Sequence, residues 1–179
     1  LSKAYDRVDW IFLERMLKKM GFARWWVDWI MACVTSMRYT VKFNGTLLES
    51  FAPSRGLRQG DPLSPFLFLF VADGLSALLK EGEEKGDFTP LKVCHRAPGV
   101  SHLLFADDTL LFFKAEEEEA QKVQEVLNTY ANATRQFINL AKCSALFGTA
   151  CALDKQEAVR TTLNIGTVTF EEKYLGLPT

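Results

Sequence analysis

Residues 101–113 read SHLLFADDTLLFF. Eight of these thirteen residues are Leu, Phe or Ala, and Asp107 and Asp108 stand side by side among them. The apolar runs on either side of the acidic pair fit two short strands joined at Asp107–Asp108. A buried carboxylate without a partner is strongly disfavoured. The pair therefore needs either a tight turn that lifts both groups into solvent or a metal ion. Magnesium takes one or two carboxylates, keeps several waters and uses substrate phosphates as its remaining ligands. The dipeptide alone favours the plain turn.

Upstream, Trp10, Leu13, Met16, Leu17 and Met20 recur at helical spacing, and Gly21 follows as a stop. A second apolar helix is expected from about Trp25 to Cys33. Tyr39, Val41 and Phe43 alternate with polar residues, Asn44–Gly45 supplies a tight hairpin turn, and Thr46 to Phe51 returns. Pro53 to Pro62 is expected to be a loop, Ser64 to Leu79 a long buried helix, and Gly82 to Gly99 an irregular connection. Downstream, Glu116 to Phe137 reads as a helix with an acidic first turn, which suits the positive end of the helix dipole. Ser144 to Phe147 is expected as a strand and Leu153 to Leu163 as a helix. This mixture is α+β.

The bulk composition adds limits. Of 179 residues, 48% are hydrophobic, and 21 basic against 22 acidic side chains leave a net charge of −1. A nucleic-acid surface would have to be a local basic patch. Cys33, Cys94, Cys143 and Cys151 contain no CxxC pair, and Cys94–His95 alone is not a zinc site; free, buried thiols are expected. No segment reaches the roughly 18 apolar residues of a membrane span, so no membrane partner is expected. Trp25, Trp26 and Trp29 are read as core residues rather than base-stacking ones. His95 and His102 are read as standing alone, and so as structural or exposed.

Five blocks change the odds at Asp107–Asp108. FADD, flanked by apolar runs, resembles the (F/Y)xDD hairpin of reverse transcriptases. RGLRQGDPLSPFLF, Arg55 to Phe68, resembles that family's loop-and-helix block. LSKAYDRVDW, Leu1 to Trp10, resembles the segment just after its first catalytic Asp. INLAKC, Ile138 to Cys143, and the terminal YLGLPT resemble its later blocks. The wording resembles that of the non-LTR (LINE-type) retrotransposon branch, plant-like. Taken this way, residues 1–179 form a partial reverse transcriptase domain. The expected fold is the palm of a right-hand polymerase, an antiparallel sheet with packed helices, plus part of the fingers. The upstream fingers and the downstream thumb are expected to lie outside these residues.

The resemblance implies RNA-directed DNA synthesis on an RNA template and DNA primer, with deoxynucleotides as substrates. Two magnesium ions about 4 Å apart activate the attacking primer hydroxyl and neutralise the leaving oxygen. Asp107 and Asp108 are the implied catalytic and metal-binding residues, Asp107 foremost. Lys142 is the implied lysine at the leaving pyrophosphate, able to donate a proton or stabilise charge. Arg58, Gln59 and Gly60 lie, by resemblance, against template and nascent base pair. Arg58 reads equally well as a phosphate contact or a solvated charge. Tyr5 is the implied aromatic beneath the incoming sugar, where a ring collides with a 2′-hydroxyl. The site of action implied is intracellular, in the nucleus, and the rest of the polyprotein is the implied partner.

Three departures qualify the match. The family has Ser-Gly before the Ile-Asn block and Ser after the lysine, where this chain has Thr134–Arg135 and Cys143. The family's first catalytic Asp lies five residues before the aromatic, one place before Leu1, so the 179-residue chain is expected to be inactive by itself. Asp6 follows the aromatic and reads as structural. Two other classes stay open: a metal-dependent hydrolase built on Asp107 and Asp108, and an inactive retrotransposon relic that at most binds nucleic acid.

Overall fold

A computed structural model describes residues 3–166 and the backbone of residues 173–174 and 177–178. The chain runs α1 (Ala4–Arg7), α2 (Trp10–Lys19), α3 (Arg24–Thr35), β1 (Lys42–Phe43), β2 (Thr46–Leu47), α4 (Ser64–Lys85), β3 (His102–Phe105), β4 (Asp108–Leu111), α5 (Glu117–Thr134) and α6 (Leu153–Thr162). Two short segments, β5 (Lys173–Tyr174) and β6 (Leu177–Pro178), close it. The YLGLPT block otherwise lies outside the described residues.

Helix α4 is the axis of the core. Its Leu67, Phe68, Val71, Leu75 and Leu79 are buried, and α2 contributes Leu13 and Leu17 to the same cluster. From α5 come Ala120, Val123 and Tyr130, and the Tyr130 hydroxyl donates to the Val71 carbonyl at 3.2 Å. Burial raises the Tyr130 pKa far above the ordinary tyrosine range, so that hydroxyl remains a donor. Helix α2 starts where the sequence says it should: Asp9 caps it by accepting from the Phe12 amide at 2.8 Å.

The α+β mixture is as expected. The antiparallel pairing, however, is confined to three separate two-stranded hairpins and does not form one sheet among the described residues. Asn44 and Gly45 both take positive φ at the β1–β2 turn, and the isolated bridge Tyr39↔Phe51 continues that hairpin. Four expectations are corrected. Helix α4 runs to Lys85, because Gly82 makes room for the Phe88 ring: a side chain there would begin 2.6 Å from Phe88 Cε1. Helix α5 stops at Thr134, where Arg135 turns left-handed with φ 62°. Ser144 to Phe147 is not a strand; Phe147 instead anchors that segment to the core, with the Arg160 guanidinium 5.1 Å over its ring. Trp25 and Trp29 are exposed, and only Trp26 packs on the core. The buried stripe of α3 is Val27 and Val34, and a helix that buries one stripe leaves the opposite face to solvent.

The cysteines are free, as expected, but not buried: Cys33 and Cys94 are exposed, Cys143 and Cys151 half-buried. No described helix is long and apolar enough to cross a membrane.

Candidate active site

The Asp107–Asp108 hairpin answers the question its sequence poses. Strands β3 and β4 pair antiparallel with Phe105 opposite Asp108, which leaves Ala106 and Asp107 as the two turn residues. The junction thus lies one residue earlier than expected, and Asp108 opens β4. Both carboxylates are exposed. The alternation of the ladder puts His102, Leu104, Thr109 and Leu111 on one face, half-buried, with Leu104 and Leu111 against the core. Leu103, Phe105 and Asp108 share the other face and are exposed. Ala106 holds φ 51°, a conformation that costs a side-chain-bearing residue about 1–2 kcal/mol. Such strain persists only where the surroundings over-determine it, and it gathers at functional sites.

A second group of candidate residues is assembled around α1. The segment at Tyr5 is helical, not extended, so strand parity does not relate Asp6 to residues further upstream. The loop before α4 docks on it through the backbone. Leu57 N–H donates to the Tyr5 carbonyl at 2.7 Å and Gly56 N–H to Val8 at 2.8 Å, while the Trp10 indole donates back to Gly56 at 2.7 Å. Tyr5 is half-buried and stacks on the buried Phe68 with ring centroids 5.0 Å apart. The structure therefore joins Tyr5 to the Arg58–Gln59–Gly60 loop. Gln59 Nε2 donates to Asp6 Oδ1 at 3.2 Å, an exposed contact between the loop and α1. Arg58, Gln59 and Gly60 are exposed.

Lys142 ends a single 3-10 turn, Leu140–Lys142, and its ammonium is exposed without a side-chain partner among the described residues. The turn ahead of it is formed by Thr134–Arg135. Arg135 adopts the left-handed backbone that a glycine would, and Thr134 Oγ1 accepts from the Gln136 amide at 3.1 Å. Gln136 was not visible as a site residue in the sequence. Fully buried, it donates from Nε2 to the Ala4 carbonyl at 2.8 Å and so ties this turn to the Tyr5 segment 132 positions away. Near its start, the Arg7 guanidinium lies 5.4 Å over the Phe137 ring.

His102 is not solitary, contrary to the sequence reading. Its Nε2 lies 2.8 Å from Ser76 Oγ and its Nδ1 3.0 Å from Ser101 Oγ, while Ser101 donates to Glu83 Oε2 at 2.9 Å. Burial, together with nearby Lys80, holds the imidazole below the usual histidine range, and Glu83 works in the opposite direction. No three His, Cys, Asp or Glu side chains cluster as a metal cage among the described residues.

The fold and this hairpin define an α+β domain that presents an acidic dipeptide on a strained turn. Residues 1–178 match the family described as "Reverse transcriptase (RNA-dependent DNA polymerase)". The chain belongs to the reverse transcriptase family. It is 48% identical over 66 residues to an uncharacterized mitochondrial protein of Arabidopsis thaliana, covering 37% of this chain and 54% of that one. The retrovirus-related Pol polyprotein from the type-1 retrotransposable element R2 of Popillia japonica is 28% identical over 148 residues, 82% of this chain and 23% of its own length. An uncharacterized 149 kDa protein of transposon TX1 from Xenopus laevis is 32% identical over 155 residues, 86% of this chain and 11% of its own. The chain thus spans about half of the first relative and under a quarter of the two transposon proteins.

Proposed function

We propose that this chain is the palm, with part of the fingers, of a retrotransposon reverse transcriptase that copies an RNA template into DNA from a DNA primer. The observation that carries the reading is the exposed Asp107–Asp108 turn within a chain that matches the family over residues 1–178. The upstream fingers and the thumb belong to the parent-length protein, and the nucleus is the proposed site of action.

The donor set fits magnesium in part. Asp107 and Asp108 offer hard carboxylate oxygens in solvent, and magnesium needs only one or two such groups with waters and phosphates. By resemblance, a further carboxylate would come from the position five residues before Tyr5. When bound, two magnesium ions supply activation of the attacking oxygen and neutralisation of the leaving one. Asp107 and Asp108 hold that charge at the end of a hairpin whose inner face is packed. Tyr5, seated on Phe68, presents the edge against which the incoming sugar rests. The Arg58–Gln59–Gly60 loop, fastened to Tyr5 and Val8 through its backbone, lines the nascent base pair. Lys142 stabilises charge, or delivers a proton, at the pyrophosphate oxygen.

The test is primer extension on an RNA template with magnesium. The parent-length protein extends; the 179-residue chain does not, since positioning errors of about 1 Å already cost about 100-fold. Robust extension by the short chain that disappears on Asp6→Asn would place the first catalytic carboxylate at Asp6 and overturn this assignment.

A second prediction concerns the sugar. In the parent-length protein, Tyr5→Val is expected to raise the ratio of ribonucleotide to deoxynucleotide incorporation by about tenfold or more, the range that pocket differences of 1–3 kcal/mol give. An unchanged ratio, with a lower melting temperature from the lost Phe68 stack, would make Tyr5 a core residue only.

A further inference from the structure

We infer that His102 is a positioning residue for the Asp107–Asp108 turn, acting through a four-member relay, Ser76–His102–Ser101–Glu83, that fixes the β3–β4 hairpin on α4. The inference rests on the polymerase reading only for its consequence in catalysis; the relay itself is a property of this chain.

Donor accounting sets the direction of every bond. A carboxylate only accepts, so the single hydroxyl proton of Ser101 is committed to Glu83 Oε2 at 2.9 Å. Ser101 Oγ can then only accept from His102, which makes Nδ1 the protonated nitrogen across the 3.0 Å contact. Nε2 is left with its lone pair and accepts from Ser76 Oγ–H at 2.8 Å. The chain of protons runs one way, from Ser76 to Glu83, with no member left over.

The geometry gives this order a mechanical sense. Ser76 and Glu83 are seven residues apart on α4, two turns on one helix face, about 10 Å along the axis. The hairpin is thus gripped at two separated points on one rigid helix, at its base. Ser101 is buried, and the other three members are half-buried, so water competes poorly for these bonds. Two points of attachment fix the tilt of a hairpin where one would leave it free to swing. The turn lies about three strand residues, roughly 10 Å, beyond His102. A small change of tilt at the base becomes a displacement of the carboxylates at the tip. Strand β4 places uncharged Leu111 opposite His102, and Lys80 and Glu83 are the charged groups that act on the ring from α4.

Two arms test this. The first uses the 179-residue chain, whose only histidines are His95 and His102. Long-range proton–nitrogen NMR at neutral pH is expected to show His102 as the Nδ1–H tautomer, with exposed His95 as the averaging control. Ser101→Ala is expected to release the tautomer and speed amide exchange in β3 and β4 about tenfold, with α2 unchanged; Ser101→Thr, which keeps the hydroxyl, is expected to restore both. An Nε2–H tautomer in the unmodified chain, or unaltered exchange in Ser101→Ala, overturns the relay. The second arm measures primer extension in the parent-length protein, normalised to folded protein. Ser101→Ala is expected to lower kcat about tenfold at unchanged deoxynucleotide KM, with recovery in Ser101→Thr. Unchanged kcat alongside a confirmed tautomer overturns the positioning role. An unmodified parent-length protein that does not extend at all overturns the polymerase reading and leaves the first arm standing.

Discussion

Asp107→Asn in the parent-length protein is expected to abolish primer extension, by about 1000-fold or more, while the fold persists. The fold should persist because the carboxylate is exposed at a hairpin turn, and surface changes of this size shift stability by about 0.5 kcal/mol or less. Activity should not persist, because the substitution removes a unit of negative charge from the position proposed to hold magnesium. Charge stabilisation by a bound metal supplies several kcal/mol at the transition state, and each 1.4 kcal/mol is about a factor of ten in rate. Asp108→Asn is expected to cost less, since Asp108 already sits within β4, paired opposite Phe105. Extension on a homopolymer RNA template, with circular dichroism as the folding control, decides the matter. Near-normal extension by folded Asp107→Asn would sink the assignment. Loss of a metal-dependent hydrolytic activity instead of extension would move the same residues to a hydrolase.

What the sequence disclosed follows the range of each interaction. Helices α2, α3 and α6 announce themselves through local periodicity and stop signals, and the Asn44–Gly45 turn through its own backbone chemistry. The acidic turn was legible for the same reason, and the family's blocks gave the candidates around it. Several of the failures come from a partner that lies outside the local pattern. Gly82 reads as a helix breaker until Phe88 is seen against it. Helix α5 ends at Thr134 because Gln136 is drawn inward to the Ala4 carbonyl, which no local pattern records. His102 looked solitary because Ser76 lies on another element, 26 positions upstream, and its neighbour Ser101 is recognised as a partner only once Glu83 is seen to take the Ser101 proton. The exposed tryptophans misled for another reason. Helical spacing identifies residues that share a face, and does not say which face the core covers.

The loop before α4 shows how the two kinds of information combine. Gly56 and Gly60 look equivalent in RGLRQGDP, and both take positive φ, +93° and +84°. Their surroundings differ. A Cβ on Gly56 would lie 2.8 Å from the Asp6 carbonyl oxygen and 3.1 Å from its carbon, both backbone atoms that cannot rotate away. A Cβ on Gly60 would meet nothing within 4 Å. Gly56→Ala therefore carries the left-handed penalty of about 1–2 kcal/mol and also pushes the loop off α1. That displacement weakens the bonds from Gly56 N–H to Val8, from Leu57 N–H to Tyr5 and from the Trp10 indole to Gly56, each worth about 1 kcal/mol. A loss of about 3 kcal/mol, at about 2–4 °C per kcal/mol for a chain of this size, lowers the melting temperature by about 6–12 °C. Gly60→Ala carries the conformational penalty alone and is expected to lower it by about 2–8 °C, less than Gly56→Ala. Thermal unfolding of the two variants of the 179-residue chain makes the comparison without any assay of function. Equal shifts would mean that the loop is not clamped to the Tyr5 segment, and the juxtaposition of Tyr5 with Gln59 and Gly60 would lose its support. Unequal shifts in the expected order leave Gly60 as the glycine whose bare backbone serves something other than the fold, and template contact is the role proposed for it.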